Sequence, residues 1–133
     1  MLTRRGFAAC ALCAISGLAA TAAEAQSATP GLKRTILQRM DGPAAGYETL
    51  LVVVEIDPGA LVARHTHPGI ESTYVLEGET ELTIEGQAPL KLSQGKSAQV
   101  PTGVPHSATN GDKPTRLAVT YVVEKGKPLA SPA

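Results

Sequence analysis

Beyond residue 25 this chain has no cysteine, no phenylalanine and no tryptophan. The two cysteines, Cys10 and Cys13, and the single phenylalanine, Phe7, all lie before that point. The remainder therefore cannot carry a disulfide framework, thiolate chemistry or a cysteine metal ligand. Its only aromatic rings besides histidine are Tyr47, Tyr74 and Tyr121, so a core must come from Val, Leu, Ile and Ala. A basic patch is also missing, and so is a polybasic run, which argues against nucleic acid and against a membrane surface as partners. No window keeps a helical period, and the 10 prolines recur too often for long helices. The one long uncharged apolar stretch, Ala8 to Ala20, has 13 residues, short of the roughly 20 that span a bilayer.

That stretch has flanks of its own. Met1 to Phe7 carries Arg4 and Arg5 and no acid, and Ala23-Glu24-Ala25 offers a small-x-small exit. Charged head, apolar middle and small-residue exit are the parts of an export signal, so residues 1–25 are expected to be cleaved, leaving Gln26 first. Thr3-Arg4-Arg5-Gly6-Phe7 resembles the twin-arginine signal, a receptor-read address. The resemblance implies export of an already folded protein with its cofactor inserted, to the periplasm or outside, and no membrane contact after cleavage. Removing Arg4, Arg5 and Glu24 leaves 10 basic and 11 acidic residues, a net charge of −1.

The rest has the length of one domain. Residues 26–33 read as a flexible lead-in, 34–125 as the domain and 126–133, with two prolines, as a C-terminal tail. Within the domain, short β-like runs alternate with turn residues. Thr35–Arg39, Glu48–Ile56, Ser72–Leu76, Glu79–Ile84, Pro89–Leu92, Ala98–Val100 and Thr115–Glu124 are the runs. Asp57-Pro58-Gly59, Gly78, Gly86, Pro101-Thr102-Gly103 and Asn110-Gly111 are the punctuation, the last read as a hairpin turn. In Glu79–Ile84, Thr80, Leu82 and Ile84 share one face while Glu79 and Glu81, with Glu85 beyond, take the other. The pattern predicts an all-β sandwich or barrel.

The chain has three histidines, and their placement points to chemistry. His65 and His67 are two apart, a spacing that in a strand puts both rings on one face about 6.6 Å apart. Pro68-Gly69 then turns the chain, and Glu71 follows. His106 comes from a separate strand after Pro105. Three imidazoles and a carboxylate suit Fe, Mn, Ni, Co, Cu or Zn as a divalent ion and suit Ca or Mg poorly. Arg64, next to His65, points the other way by strand alternation.

Gly59-x5-His65-x-His67-x3-Glu71-x6-Gly78 resembles the first motif of the cupin superfamily, and Gly95-x5-Pro101-x-Gly103-x2-His106-x3-Asn110 resembles the second. Ten positions agree, separated by a 16-residue interval, residues 79–94. The resemblance implies a small jelly-roll β-barrel holding one divalent transition metal on His65, His67, Glu71 and His106. It also implies turn roles for the four glycines, structural roles for Pro101 and Asn110, and a homodimer.

Thr73 and Val75 share the parity of Glu71 and should face inward with it. On the last long run Leu117, Val119, Tyr121 and Val123 form the more apolar face, so Tyr121 is a candidate pocket residue. Such a pocket, mostly aliphatic, favours a small, partly apolar substrate that chelates the metal through its own oxygens. The function expected is a metal-dependent enzyme, dioxygenase-like, with isomerase or decarboxylase chemistry also open. The alternative is a non-catalytic protein that binds or senses a metal or a small ligand.

Overall fold

A computed structural model describes residues 29–133. The export-signal reading, and the lead-in as far as residue 28, lie outside the described residues. The rest folds into ten strands: β1 (Leu32–Asp41), β2 (Tyr47–Ile56), β3 (Leu61–Thr66), β4 (Gly69–Glu77), β5 (Glu79–Ile84), β6 (Leu90–Ser93), β7 (Ser97–Val100), β8 (His106–Asn110), β9 (Thr115–Glu124) and β10 (Ser131–Pro132). They form two five-stranded sheets, ordered β1-β2-β9-β4-β7 and β10-β3-β8-β5-β6. Every pairing is antiparallel. The expected all-β jelly-roll is the fold observed.

Period-two alternation builds the core. β2 turns Leu50, Val52, Val54 and Ile56 inward, and β9 does the same with Leu117, Val119, Tyr121 and Val123. These two strands pair over their full lengths, Tyr47 opposite Glu124 and Ile56 opposite Thr115. β5 contributes Leu82 and Ile84, and its glutamates face solvent, as its alternation predicts. With one buried ring among aliphatic side chains, the core is what the aromatic-poor composition requires.

Three sequence expectations need correction. The segment read as a tail folds back on the barrel: β10 pairs with β3 and Leu129 is buried. Its prolines hid it, because two paired residues are too few to show an alternation. Asn110-Gly111 does not close a hairpin, for β8 and β9 lie in different sheets. The Asn110 side chain is instead a buried bracket. Its Nδ2 donates to the carbonyls of Ile56, Asp57 and Lys113 at 2.9–3.1 Å, and its Oδ1 accepts from the Thr115 hydroxyl at 2.6 Å. Gly69 is not part of the turn but the first residue of β4. A Cβ there would stand 1.9 Å from the Val122 carbonyl oxygen, so only glycine lets β4 close on β9 beside Glu71.

Candidate metal centre

The site lies between the sheets. His65 on β3 sits directly opposite His106 on β8 in one sheet. Glu71 on β4 sits opposite Tyr121 on β9 in the other. His67 follows β3 in the crossover between them, its carbonyl accepting from the Gly103 amide at 3.1 Å. That bond ties the two sequence motifs together at the site. The ring centroids of the three histidines are 4.2–5.0 Å apart. One ligand atom from each of His65, His67, Glu71 and His106 falls within 4.8 Å of the others.

The tautomers follow from the hydrogen bonds. His65 Nδ1 is 2.7 Å from the Ala63 carbonyl, His67 Nδ1 is 2.5 Å from the Leu129 carbonyl and His106 Nδ1 is 3.0 Å from the Val104 carbonyl. A carbonyl oxygen only accepts, so each Nδ1 carries the proton and donates it. In a neutral ring that arrangement leaves Nε2 with a free lone pair. The Nε2 atoms of His67 and His106 are buried without a hydrogen-bond partner. They lie 2.8 and 3.5 Å from the same carboxylate oxygen, Glu71 Oε2. Nitrogen lone pairs facing a carboxylate at that range, out of contact with water, are favourable only around a cation. The other oxygen, Glu71 Oε1, accepts from the Thr73 hydroxyl at 2.7 Å, which fixes the plane of the carboxylate. Among the described residues the cluster is therefore compatible with a divalent metal, and the backbone carbonyls behind the rings orient the ligands as outer partners do in metal sites.

Burial lowers His65 to about 4, helped by the charges of His106, His67 and Arg34 and opposed by the Ala63 bond, so its ring is neutral at pH 7. Burial alone would push the Glu71 carboxyl up. Contact with the His106 and His67 side chains, together with the Thr73 hydroxyl bond, outweighs it and holds the group well below the usual carboxylate range, as a positive charge at that point would. Burial pushes the Tyr121 phenol above its ordinary value, and the Glu71 charge adds to the effect. The phenol is thus a neutral hydrogen-bond donor, packed against the His67 ring at 4.8 Å.

A cavity opens beside the cluster. Its volume is about 50 Å³, several times the roughly 10–15 Å³ that one water needs. His65, Glu71, His106 and Tyr121 line one part, and aliphatic side chains such as Val54, Leu117 and Val119 line much of the rest. Thr73 and Val75 face inward as expected. Arg64 points outward and pairs with Glu85. One wall residue, Arg34, was not singled out by the sequence pattern, because β1 read as Thr35–Arg39. Its parity with the inward Leu32 is the signal that finds it, once the strand is extended to Leu32.

Residues 52–123, more than half of the chain, match the model of the Cupin domain family. The chain is a cupin. This cupin is 34% identical over 80 residues to the dimethylsulfoniopropionate lyase DddQ of Ruegeria pomeroyi, covering 60% of this chain and 40% of that protein. The crystal structure of DddQ from the same organism superposes with a TM-score of 0.64 at 26% identity, over 77% of this chain and 51% of that one. The cupin thus spans about half or less of the length of that relative. The structure of KdgF from a Halomonas species (TM-score 0.60, 24% identity, 72% of this chain and 83% of that one) shares the fold. So does a cupin superfamily protein from Desulfitobacterium hafniense (TM-score 0.59, 15% identity, 74% and 83%).

Proposed function

We propose that this cupin is a metal-dependent enzyme that acts on a small, oxygen-bearing substrate in the cavity beside His65, His67, Glu71 and His106. The observation that carries the reading is the shared anchoring: three rings held through Nδ1, with the Nε2 atoms of His67 and His106 at 2.8 and 3.5 Å from Glu71 Oε2 and a ligand atom of His65 within 4.8 Å of the same group. A divalent transition metal held there supplies a Lewis acid and, for iron, manganese or copper, redox capacity. The chain's own residues do the rest. Thr73 orients Glu71, the aliphatic wall excludes water from the reacting face, and Tyr121 presents a neutral phenol toward the cluster. Among the described residues, Tyr121 and Arg34 are the only titratable side chains on the cavity wall apart from His65, Glu71 and His106. A scarcity of free bases favours dioxygenase-like oxidation, whose chemistry needs the metal more than a side-chain base.

The similarity to DddQ supports a second reading, a lyase. Eliminating dimethyl sulfide from dimethylsulfoniopropionate requires removal of a proton from the carbon next to the carboxylate; Tyr121, the wall phenol outside the cluster, would take it only as its phenolate, which a cation held in the cluster would have to stabilise against the effect of burial. Oxygen uptake across catechols, flavonols, diketones and oxalate, measured beside dimethyl sulfide release from dimethylsulfoniopropionate, separates the two. Uptake supports oxidation and release supports elimination. Tight ligand binding with neither places the protein among non-catalytic binding or sensing cupins. His67→Ala should abolish metal binding and leave a folded barrel; full metal occupancy in that variant refutes the ligand assignment.

The reading extends to the whole cell-biological setting. The twin-arginine-like Thr3-Arg4-Arg5-Gly6-Phe7 supports export of the folded, metal-loaded protein to the periplasm or beyond. A homodimer is supported by β1, an edge strand on which Leu37 and Met40 are exposed, since a second copy would cover both the open edge and the apolar side chains. Sedimentation at micromolar concentration tests the pairing.

A further inference from the structure

Among the described residues, the cation in the cavity wall has no carboxylate partner. β1 carries three basic side chains, Lys33, Arg34 and Arg39. Lys33 pairs with Glu55 at 3.5 Å and Arg39 with Glu48 at 3.2 Å, both across the β1–β2 ladder. Arg34 differs. Its cross-strand partner is Val54, which is buried in the core, so Arg34 faces inward. Among the described residues it forms no ion pair, and its Nε is buried without a hydrogen-bond partner. It shares the cavity with Leu32, Leu117 and Val119. An arginine held purely for stability in such surroundings would be expected to have a carboxylate beside it, because an unpaired charge against aliphatic walls is costly. It also shares that cavity with His65, Glu71, His106 and Tyr121, so it lies close to the cluster without belonging to it.

We infer that Arg34 is the anion-binding residue of this cavity, and that the substrate is a small carboxylate whose charged end pairs with the guanidinium while a second oxygen faces the histidine–glutamate cluster. Arginine suits the task, since its planar fork matches a carboxylate and stays charged at every working pH. The cavity size limits the ligand to a few non-hydrogen atoms beyond the carboxylate. The walls between the two polar ends favour a short apolar spacer. This deepens the enzyme reading above by naming the substrate class, and it rests on that reading only for the second oxygen.

The test uses propionate and lactate as probes, with propionamide and lactamide as neutral counterparts, titrated calorimetrically into the metal-loaded full chain, into the metal-free chain and into His67→Ala. Expected is binding of the acids at least tenfold tighter than of the amides, lost at least tenfold in Arg34→Met and partly restored in Arg34→Lys. Melting curves confirm that both variants fold, and Arg34→Lys carries the test if Arg34→Met does not. Discrimination between propionate and propionamide should persist in the metal-free chain and in His67→Ala, so failure of the metal reading alone leaves this result intact. Equal binding of acids and amides overturns the proposal. So does binding that Arg34→Met leaves within twofold, because the carboxylate would then sit on the metal alone, and so does the absence of acid binding in the wild-type protein.

Discussion

Deleting residues 129–133 should weaken metal binding, although none of the four proposed ligands is touched. The deletion removes the Leu129 carbonyl, which accepts from His67 Nδ1 at 2.5 Å, and the Leu129 side chain, which is buried at 8% exposure. The two losses can be separated. Leu129→Ala keeps the carbonyl and removes the side chain, at a cost near the low end of the roughly 2–5 kcal/mol seen for buried leucine, because a chain terminus relaxes easily. The deletion adds a buried His67 N–H with no acceptor, about 1–3 kcal/mol more. That second cost bears directly on the metal, since the ring loses the partner that fixes its tautomer and angle. Loss of such an outer partner lowers metal affinity about 10–100-fold, or about 1.4–2.7 kcal/mol at roughly 1.4 kcal/mol per decade, in agreement with the hydrogen-bond figure. The assay is competition against a chromophoric chelator for Zn or Mn, with thermal melts of the metal-free proteins alongside. Leu129→Ala should melt on the order of 10 °C lower yet bind metal within about threefold of wild type. The deletion should melt lower still and bind metal at least tenfold more weakly. Equal affinity in the deletion and in Leu129→Ala would refute the idea that the Leu129 carbonyl positions His67.

Metal-free protein should be acid-labile in a defined window. The folded state holds His65 at about 4 against 6.5 for a free histidine, so the unfolded chain binds the extra proton between those values. That stability is complete above about pH 6.5 and is lost as pH falls toward 4. Glu71, also lowered, adds a loss of the same sign below its unfolded value. Urea midpoints that stay flat from pH 7 to 4 would contradict the His65 shift, and the Glu71 loss is read below pH 4.5. Asn110→Ala removes two amide hydrogens that serve three buried or half-buried carbonyls and should cost on the order of 3 kcal/mol, read by urea denaturation; a cost under 1 kcal/mol would dismiss the bracket. Gly69→Ala must push β4 from β9 at the approach to Glu71, with an expected loss of about 1–3 kcal/mol or more and weakened metal binding; unchanged values would show that the contact yields freely. Replacing Arg4 and Arg5 together by lysine should leave uncleaved precursor inside the cell, seen by fractionation and immunoblotting, whereas normal export would rule out a twin-arginine route.

Much of this protein is legible along the chain because its informative patterns are local. Alternation in Glu79–Ile84 and Thr115–Glu124 marks two strands with the bounds observed, and it tells the core face from the solvent face. The spacing of His65, His67 and Glu71 places three side chains near one another through a single crossover, and the second motif supplies His106. The unread features depend on which strands become neighbours. Arg34 looks like one more surface cation of a basic strand until the register sets Val54, not an acid, across from it. Leu129 looks like part of a proline-rich end until β10 pairs with β3 and brings its carbonyl to His67. Asn110 looks like a turn residue until the end of β2 and the loop before β9 present it with carbonyls. Sequence by itself determined the fold class and the composition of the cluster, since periodicity and ligand spacing are carried by residues a few positions apart. Tertiary structure alone decided the anchoring of His67, the closing of β4 on β9 at Gly69 and the lone cation in the cavity, since each depends on contacts between residues far apart in the chain, His67 with Leu129, Gly69 with Val122 and Arg34 with Val54.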